Sequence, residues 1–101
     1  GYRPLPRFPG VKVDVALSVP AATRVAAAIE AIERAGKGLV AETELFDVYQ
    51  GPNLEAGRKS LAFHVLLQSP NKTLSDQEGA KFLDRLERLV ESDLHGQLRR
   101  E

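Results

Sequence analysis

Asp47, Tyr49, Ser60, Ala62 and His64 occupy alternate positions of two neighbouring segments, Glu44-Leu45-Phe46-Asp47-Val48-Tyr49-Gln50-Gly51 and Gly57-Arg58-Lys59-Ser60-Leu61-Ala62-Phe63-His64. Successive side chains of a strand point to opposite faces, so these five share one face and Phe46, Leu61 and Phe63 turn to the other. A ring, a carboxylate and a hydroxyl set among small residues suit a ligand that is planar and polar. The ring offers stacking area, the carboxylate accepts hydrogen bonds, and the small side chains let the ligand lie close to the sheet.

The surrounding elements are readable from periodicity. Positions 11–19 alternate, with Val11, Val13, Val15, Leu17 and Val19 on one side and Lys12, Asp14, Ala16 and Ser18 on the other, a first strand. Pro20 suits a first helical turn, and Val25, Ile29 and Ile32 recur at helical spacing in an alanine-rich stretch, predicting a helix over 21–35 that stops at Gly36-Lys37-Gly38. A second strand over 39–50, a turn-rich loop over 51–57 and a third strand over 60–68 make a long hairpin. Ser75-Asp76-Gln77-Glu78 has the capping-box form and opens a second helix, striped by Phe82, Leu83, Leu86, Leu89 and Val90. Gly96 stands where a left-handed residue ends that helix, and 97–100 supply a short last strand. Strand, helix, strand, strand, helix, strand is the order of the ferredoxin-like split βαβ, an α+β fold with both helices on one sheet face and the other face open.

Size and composition bound the function. A chain of 101 residues, 43% hydrophobic, makes one domain with a modest core. Residues 1–10, with Pro4, Pro6 and Pro9, read as an extended linker from a preceding domain, and 11–101 as the domain itself. Methionine is absent even at position 1, so a piece of a longer protein is expected. Without cysteine there is no disulfide framework and no thiolate metal site. No apolar run approaches the ~20 residues needed to cross a bilayer, and a soluble, cytoplasmic domain is expected. Fourteen basic and 14 acidic residues cancel, which counts against gripping nucleic acid by bulk phosphate neutralisation; any such binding is local.

Three stretches carry a family resemblance: Phe8-Pro9-Gly10-Val11-Lys12-Val13-Asp14-Val15-Ala16; Leu45-Phe46-Asp47-Val48-Tyr49-Gln50-Gly51; and Lys59-Ser60-Leu61-Ala62-Phe63 running on to Thr73-Leu74-Ser75-Asp76-Gln77-Glu78. Over nearly its whole length the chain resembles the ferredoxin-fold anticodon-binding domain at the C-terminus of the bacterial phenylalanine-tRNA ligase beta subunit. The resemblance implies a binding module for the anticodon loop of the cognate tRNA. It also implies partners in the rest of the beta subunit and in the alpha subunit, where aminoacylation occurs, and no cofactor in this domain. By the same resemblance Ala16, Asp47, Tyr49, Ser60 and Ala62 face the anticodon; Lys12, Lys59 and His64 are further candidate RNA contacts on the grounds of charge and position alone. The chemistry agrees: an ionised Asp47 can accept from N1 and N2 of guanine, the first base of phenylalanine anticodons, while Tyr49 stacks it and Ser60 completes the contact. The chain departs from the family in carrying Val13 where a second basic residue is usual, and Gly79 where a hydrophobic residue is.

Other readings of the same residues differ in chemistry. Tyr49 can cover sheet surface, and Asp47 can pair with Lys59 or His64 across the hairpin. His64 lacks a nucleophile motif, and with His95, read as a helix-end cation, it makes no credible metal set. Arg3, Arg7, Lys12, Arg58 and Lys59 are candidates for a phosphate rim, and Arg85, Glu87, Arg88 and Glu91 for a mixed solvated helix face. A protein-interaction module of the same fold is the alternative function. A stand-alone enzyme is poorly supported because no acid, base and nucleophile converge.

Overall fold

The computed structural model describes residues 8–52 and 54–100. The elements are β1 Val11–Pro20, α1 Val25–Gly36, β2 Val40–Tyr49, β3 Arg58–Leu67, α2 Asp76–Asp93 and β4 Gln97–Arg100. The strands form an antiparallel sheet in the order β2-β3-β1-β4, the expected ferredoxin-like topology. Residues 1–7 of the expected linker lie outside the described residues. The rest of it docks on the sheet, where Gln68 Nε2 donates to the Phe8 carbonyl at 2.9 Å.

The core lies between the helices and one sheet face. Val15, Leu17 and Val19 of β1 and Leu61, Phe63, Val65 and Leu67 of β3 are all buried on that side, as strict alternation requires. From α1 the buried residues are Ala28, Ala31, Ile32, Ala35 and Gly36, with Val25 and Ile29 only partly buried, so mostly small side chains face the core. From α2, Phe82, Leu86 and Val90 fill the remaining space. Arg85, expected on a solvated face, instead donates Nε to the Ala35 carbonyl at 2.7 Å and closes the C-terminal end of α1.

Three local expectations are corrected. First, α1 starts at Val25 and not near position 21, because Pro20 still pairs with Arg58 at the end of β1. The Ala21 amide then donates to Gly57 O (2.8 Å) and the Thr23 amide to Pro20 O (2.9 Å), so strand pairing and a turn consume the residues that a helix would have used. Second, Ser75 is the N-cap residue of α2 but its side chain makes no capping bond; Asp76 and Glu78 serve the helix end through the dipole. Third, the left-handed residue after α2 is His95 (φ 53°), not Gly96. Gly96 answers a close approach: a Cβ there would lie 2.4 Å from the Ser18 carbonyl oxygen of β1.

Gly79 sits buried in α2 against β1, and a Cβ there would stand 3.2 Å from Val11 Cγ1. Val11 is only partly buried at a strand end and can yield by the few tenths of an ångström required. The helix-propensity gain of about 1 kcal/mol for alanine over glycine therefore outweighs the contact. Gly79→Ala is expected to raise the thermal midpoint by a few degrees, read by circular dichroism; a lowered midpoint would show β1 and α2 to be rigidly packed there.

Candidate functional site

The open sheet face is built in rows, because residues directly opposite in an antiparallel ladder point the same way. One row runs Asp47, Ala62, Ala16, Arg99 from β2 to β4. At about 4.8 Å per strand it spans roughly 14 Å, with a carboxylate at one end, a guanidinium at the other and two methyl groups as floor. The next row runs Tyr49, Ser60, Ser18, Gln97. On the other side lies Glu44, His64, Asp14. Ala16, Asp47, Tyr49, Ser60 and Ala62, the residues singled out from sequence, line one open depression of about 420 Å³ together with His64.

Tyr49 is 38% exposed, and its phenolic end lies over Gly51, where a Cβ would come within 2.4 Å of the hydroxyl oxygen. Glycine at 51 thus lets the ring rest along the sheet end. Among the described residues the exposed Asp47 carboxylate has no hydrogen-bond or ion-pair partner, so the cross-hairpin pairing with Lys59 or His64 is not made. His64 Nδ1 instead donates to Asp14 Oδ1 at 2.7 Å, across the β1–β3 ladder. A carboxylate without a protein donor keeps its acceptor sites for a ligand.

The basic candidates separate. Arg58 is committed to the fold: Nε donates to Ser18 Oγ (3.2 Å), and Nη2 to the carbonyls of Ser18 (2.9 Å) and His95 (3.2 Å). Its charge is thereby held beside the Tyr49–Ser60 row. Lys59 pairs with Val19, on the helix-covered parity at the strand end, away from the depression. Lys12 is exposed on the open face one row beyond His64, near Asp14, Glu42 and Glu44. Arg3 and Arg7 lie outside the described residues. The face is consequently acidic at the Glu42–Glu44–Asp14 end and basic at the Arg58–Arg99 end, although the chain is neutral overall. Among the described residues no group of three or more His, Cys, Asp or Glu is placed to hold a metal, and no helix is long and apolar enough to cross a membrane.

Phe46 is the clearest departure from the expected pattern. Leu45 pairs with Phe63 on the core side, Asp47 pairs with Ala62 on the open side, and Phe46 is the extra residue of a β-bulge between them. It is 47% exposed on the open face and stacks on His64, with ring centroids 3.7 Å apart and planes 8° from parallel. Sequence offered one sign of this. Simple alternation places Leu45 and Asp47 on the same face, which a core leucine and an exposed aspartate cannot both accept. Arg99 and Asp14 also join the depression unforeseen, since both depend on the long-range register of β1 with β4 and β3.

A ferredoxin-like sheet with one helix-covered face and one open face bearing a ring, a free carboxylate and small residues defines a sheet-based binding domain. The chain belongs to the ferredoxin-fold anticodon binding domain family, whose model matches residues 6–99. It is similar to phenylalanine–tRNA ligase beta subunits from Geobacillus kaustophilus (45% identity), Moorella thermoacetica (44%) and Aromatoleum aromaticum (41%). Each match covers 97% of this chain and 12% of the relative, so the chain spans a small part of their length. Among solved structures, the de novo designed protein Ferredog-Diesel is similar over 100% of this chain and 94% of its own, at 18% identity and a TM-score of 0.44.

Proposed function

We propose that the chain is the anticodon-reading module of a phenylalanine-tRNA ligase beta subunit, and that its open face takes the first anticodon base, guanine. The observation that carries this is the Asp47–Ala62–Ala16–Arg99 row beside Tyr49. An unstacked base lies over the two alanines against the Tyr49 ring, its N1 and N2 edge donating to the unpartnered Asp47 carboxylate and Ser60 completing the polar contact. Arg99, three strands away, lies on the side where a phosphate can receive its charge. The module contributes binding and not chemistry, needs no cofactor of its own, and works in the cytoplasm beside the remainder of the beta subunit and the alpha subunit.

Stacking on an exposed tyrosine is worth ~1–3 kcal/mol per base. In the ligase containing this chain, Tyr49→Ala is expected to raise the tRNA KM roughly tenfold and to leave amino-acid activation unchanged, since the substitution removes an exposed ring far from the chemistry. A second reading, a sheet that docks another protein, draws on Val48, 52% exposed on the edge strand β2. An unchanged tRNA KM in Tyr49→Ala would favour that reading over ours.

A further inference from the structure

We propose that Phe46 and His64 form a second base-stacking platform, which takes the nucleotide adjacent to the one held by Tyr49 and Asp47. The inference rests on the guanine site described above and extends it by one nucleotide. Two observations carry it beyond a stray exposed ring. The bulge costs β2 a ladder pair and removes Phe46 from the core side, where Leu45, Val65 and Phe63 already fill the interface with the helices. Bulges of this kind re-aim side chains next to binding sites. Further, the ring is preorganised: Asp14 fixes the imidazole of His64 through the 2.7 Å bond, and the imidazole fixes Phe46 by parallel stacking at 3.7 Å. An exposed phenylalanine otherwise keeps its rotamer freedom and would have to lose it on binding.

The placement suits a single strand better than a folded partner. Phe46 and His64 stand one row along from Asp47 and Ala62, about 7 Å at two residues of strand rise, a single step of an extended backbone. Both rows border the same depression, so a strand seated in one continues into the other without crossing a ridge. Glu44 and Asp14 flank His64 in its own row and Glu42 lies beyond it near Lys12, so carboxylates outnumber the one lysine at this end and disfavour phosphates past the second base. Stacking is tolerant of base identity, so this platform adds affinity and register while Asp47 adds discrimination.

The test measures affinity of the full chain for a phenylalanine anticodon stem-loop, for one abasic at the first anticodon position, and for two abasic at either flanking position. Phe46→Leu keeps apolar area and strand preference but removes the π face; circular dichroism reports its fold. The expected result is a loss of roughly tenfold on the intact loop and no further loss on one of the two flank-abasic loops. Equal losses on every probe, or none on the intact loop, would overturn the platform, as would unchanged RNA affinity with impaired assembly into the ligase. Tyr49→Ala run in parallel couples to the first-position abasic loop. Its failure with Phe46 coupling intact removes the guanine site and leaves the platform, whereas the converse removes the platform alone.

Discussion

Asp47→Asn is expected to reduce the preference for guanine over adenine at the first anticodon position by roughly 10- to 100-fold while leaving the fold untouched. The carboxylate is exposed and holds no protein partner among the described residues, so its replacement breaks no internal bond, and the stability change should stay within about 0.5 kcal/mol. Its effect on recognition is large because of donor and acceptor count. Guanine presents two adjacent donors, N1–H and N2–H₂, to two carboxylate oxygens that only accept. Asparagine turns one of those acceptors into a donor, so one guanine N–H then faces another N–H with nothing to accept it. A good bidentate base contact carries ~1–3 kcal/mol of discrimination, and leaving a polar group unpaired in the contact adds to the loss. Adenine gains nothing from the wild-type carboxylate at that edge, so its affinity should change little. Paired titrations with stem-loops carrying guanine or adenine at that position measure the ratio. If the ratio is preserved in the variant, Asp47 does not read the base.

The separation of the site's two halves explains what could be read in advance. Along 15–19 of β1 and along β3 every second side chain is a large apolar one that the helices cover fully, so the core enforces alternation and the parity of Ala16, Ser60, Ala62 and His64 follows from sequence alone, although the small Ala16 and Ser18 are themselves buried. Along β2 it is not enforced. This edge strand has a covered side only in part, Val48 remains exposed on the helix-side parity, and bulges after Val40 and Leu45 shift the register. Asp47 and Tyr49 lie beyond the second bulge, where the parity read from the hairpin end still holds; Phe46 lies within it and turns to the open face instead of the expected core side. Arg99, Asp14 and the cross-links of Arg58 depend on which residues of distant strands stand opposite, a tertiary register that four residues of β4 carry too little pattern to announce. The late start of α1 has the same origin, since the Ala21–Gly57 bond belongs to the hairpin and not to the helix sequence.

Phe63→Ala is expected to have the largest effect on stability, and it separates fold from recognition. Phe63 is fully buried at the centre of β3, opposite Val15 on one side and Leu45 on the other, and is among the largest buried side chains. Truncating such a ring costs about 3–5 kcal/mol, part transfer free energy and part residual cavity. Domains of this size hold only ~5–15 kcal/mol in total, so the thermal midpoint should fall by roughly 15–30 °C, whereas Phe63→Leu, closer in volume, should cost far less. The neighbours of Phe63 along the strand, Ala62 and His64, face the opposite side and belong to the depression. Below its lowered midpoint the variant should therefore still prefer guanine, with weaker apparent affinity only in proportion to the unfolded fraction. Asp47→Asn should show the reverse, an unchanged midpoint and a lost preference. Thermal melts and paired stem-loop titrations on both variants complete the comparison. A Phe63→Ala midpoint within a few degrees of the parent would contradict the packing of β3 against the helices, and a guanine preference lost while that variant is still folded would mean that the two faces of β3 are not independent.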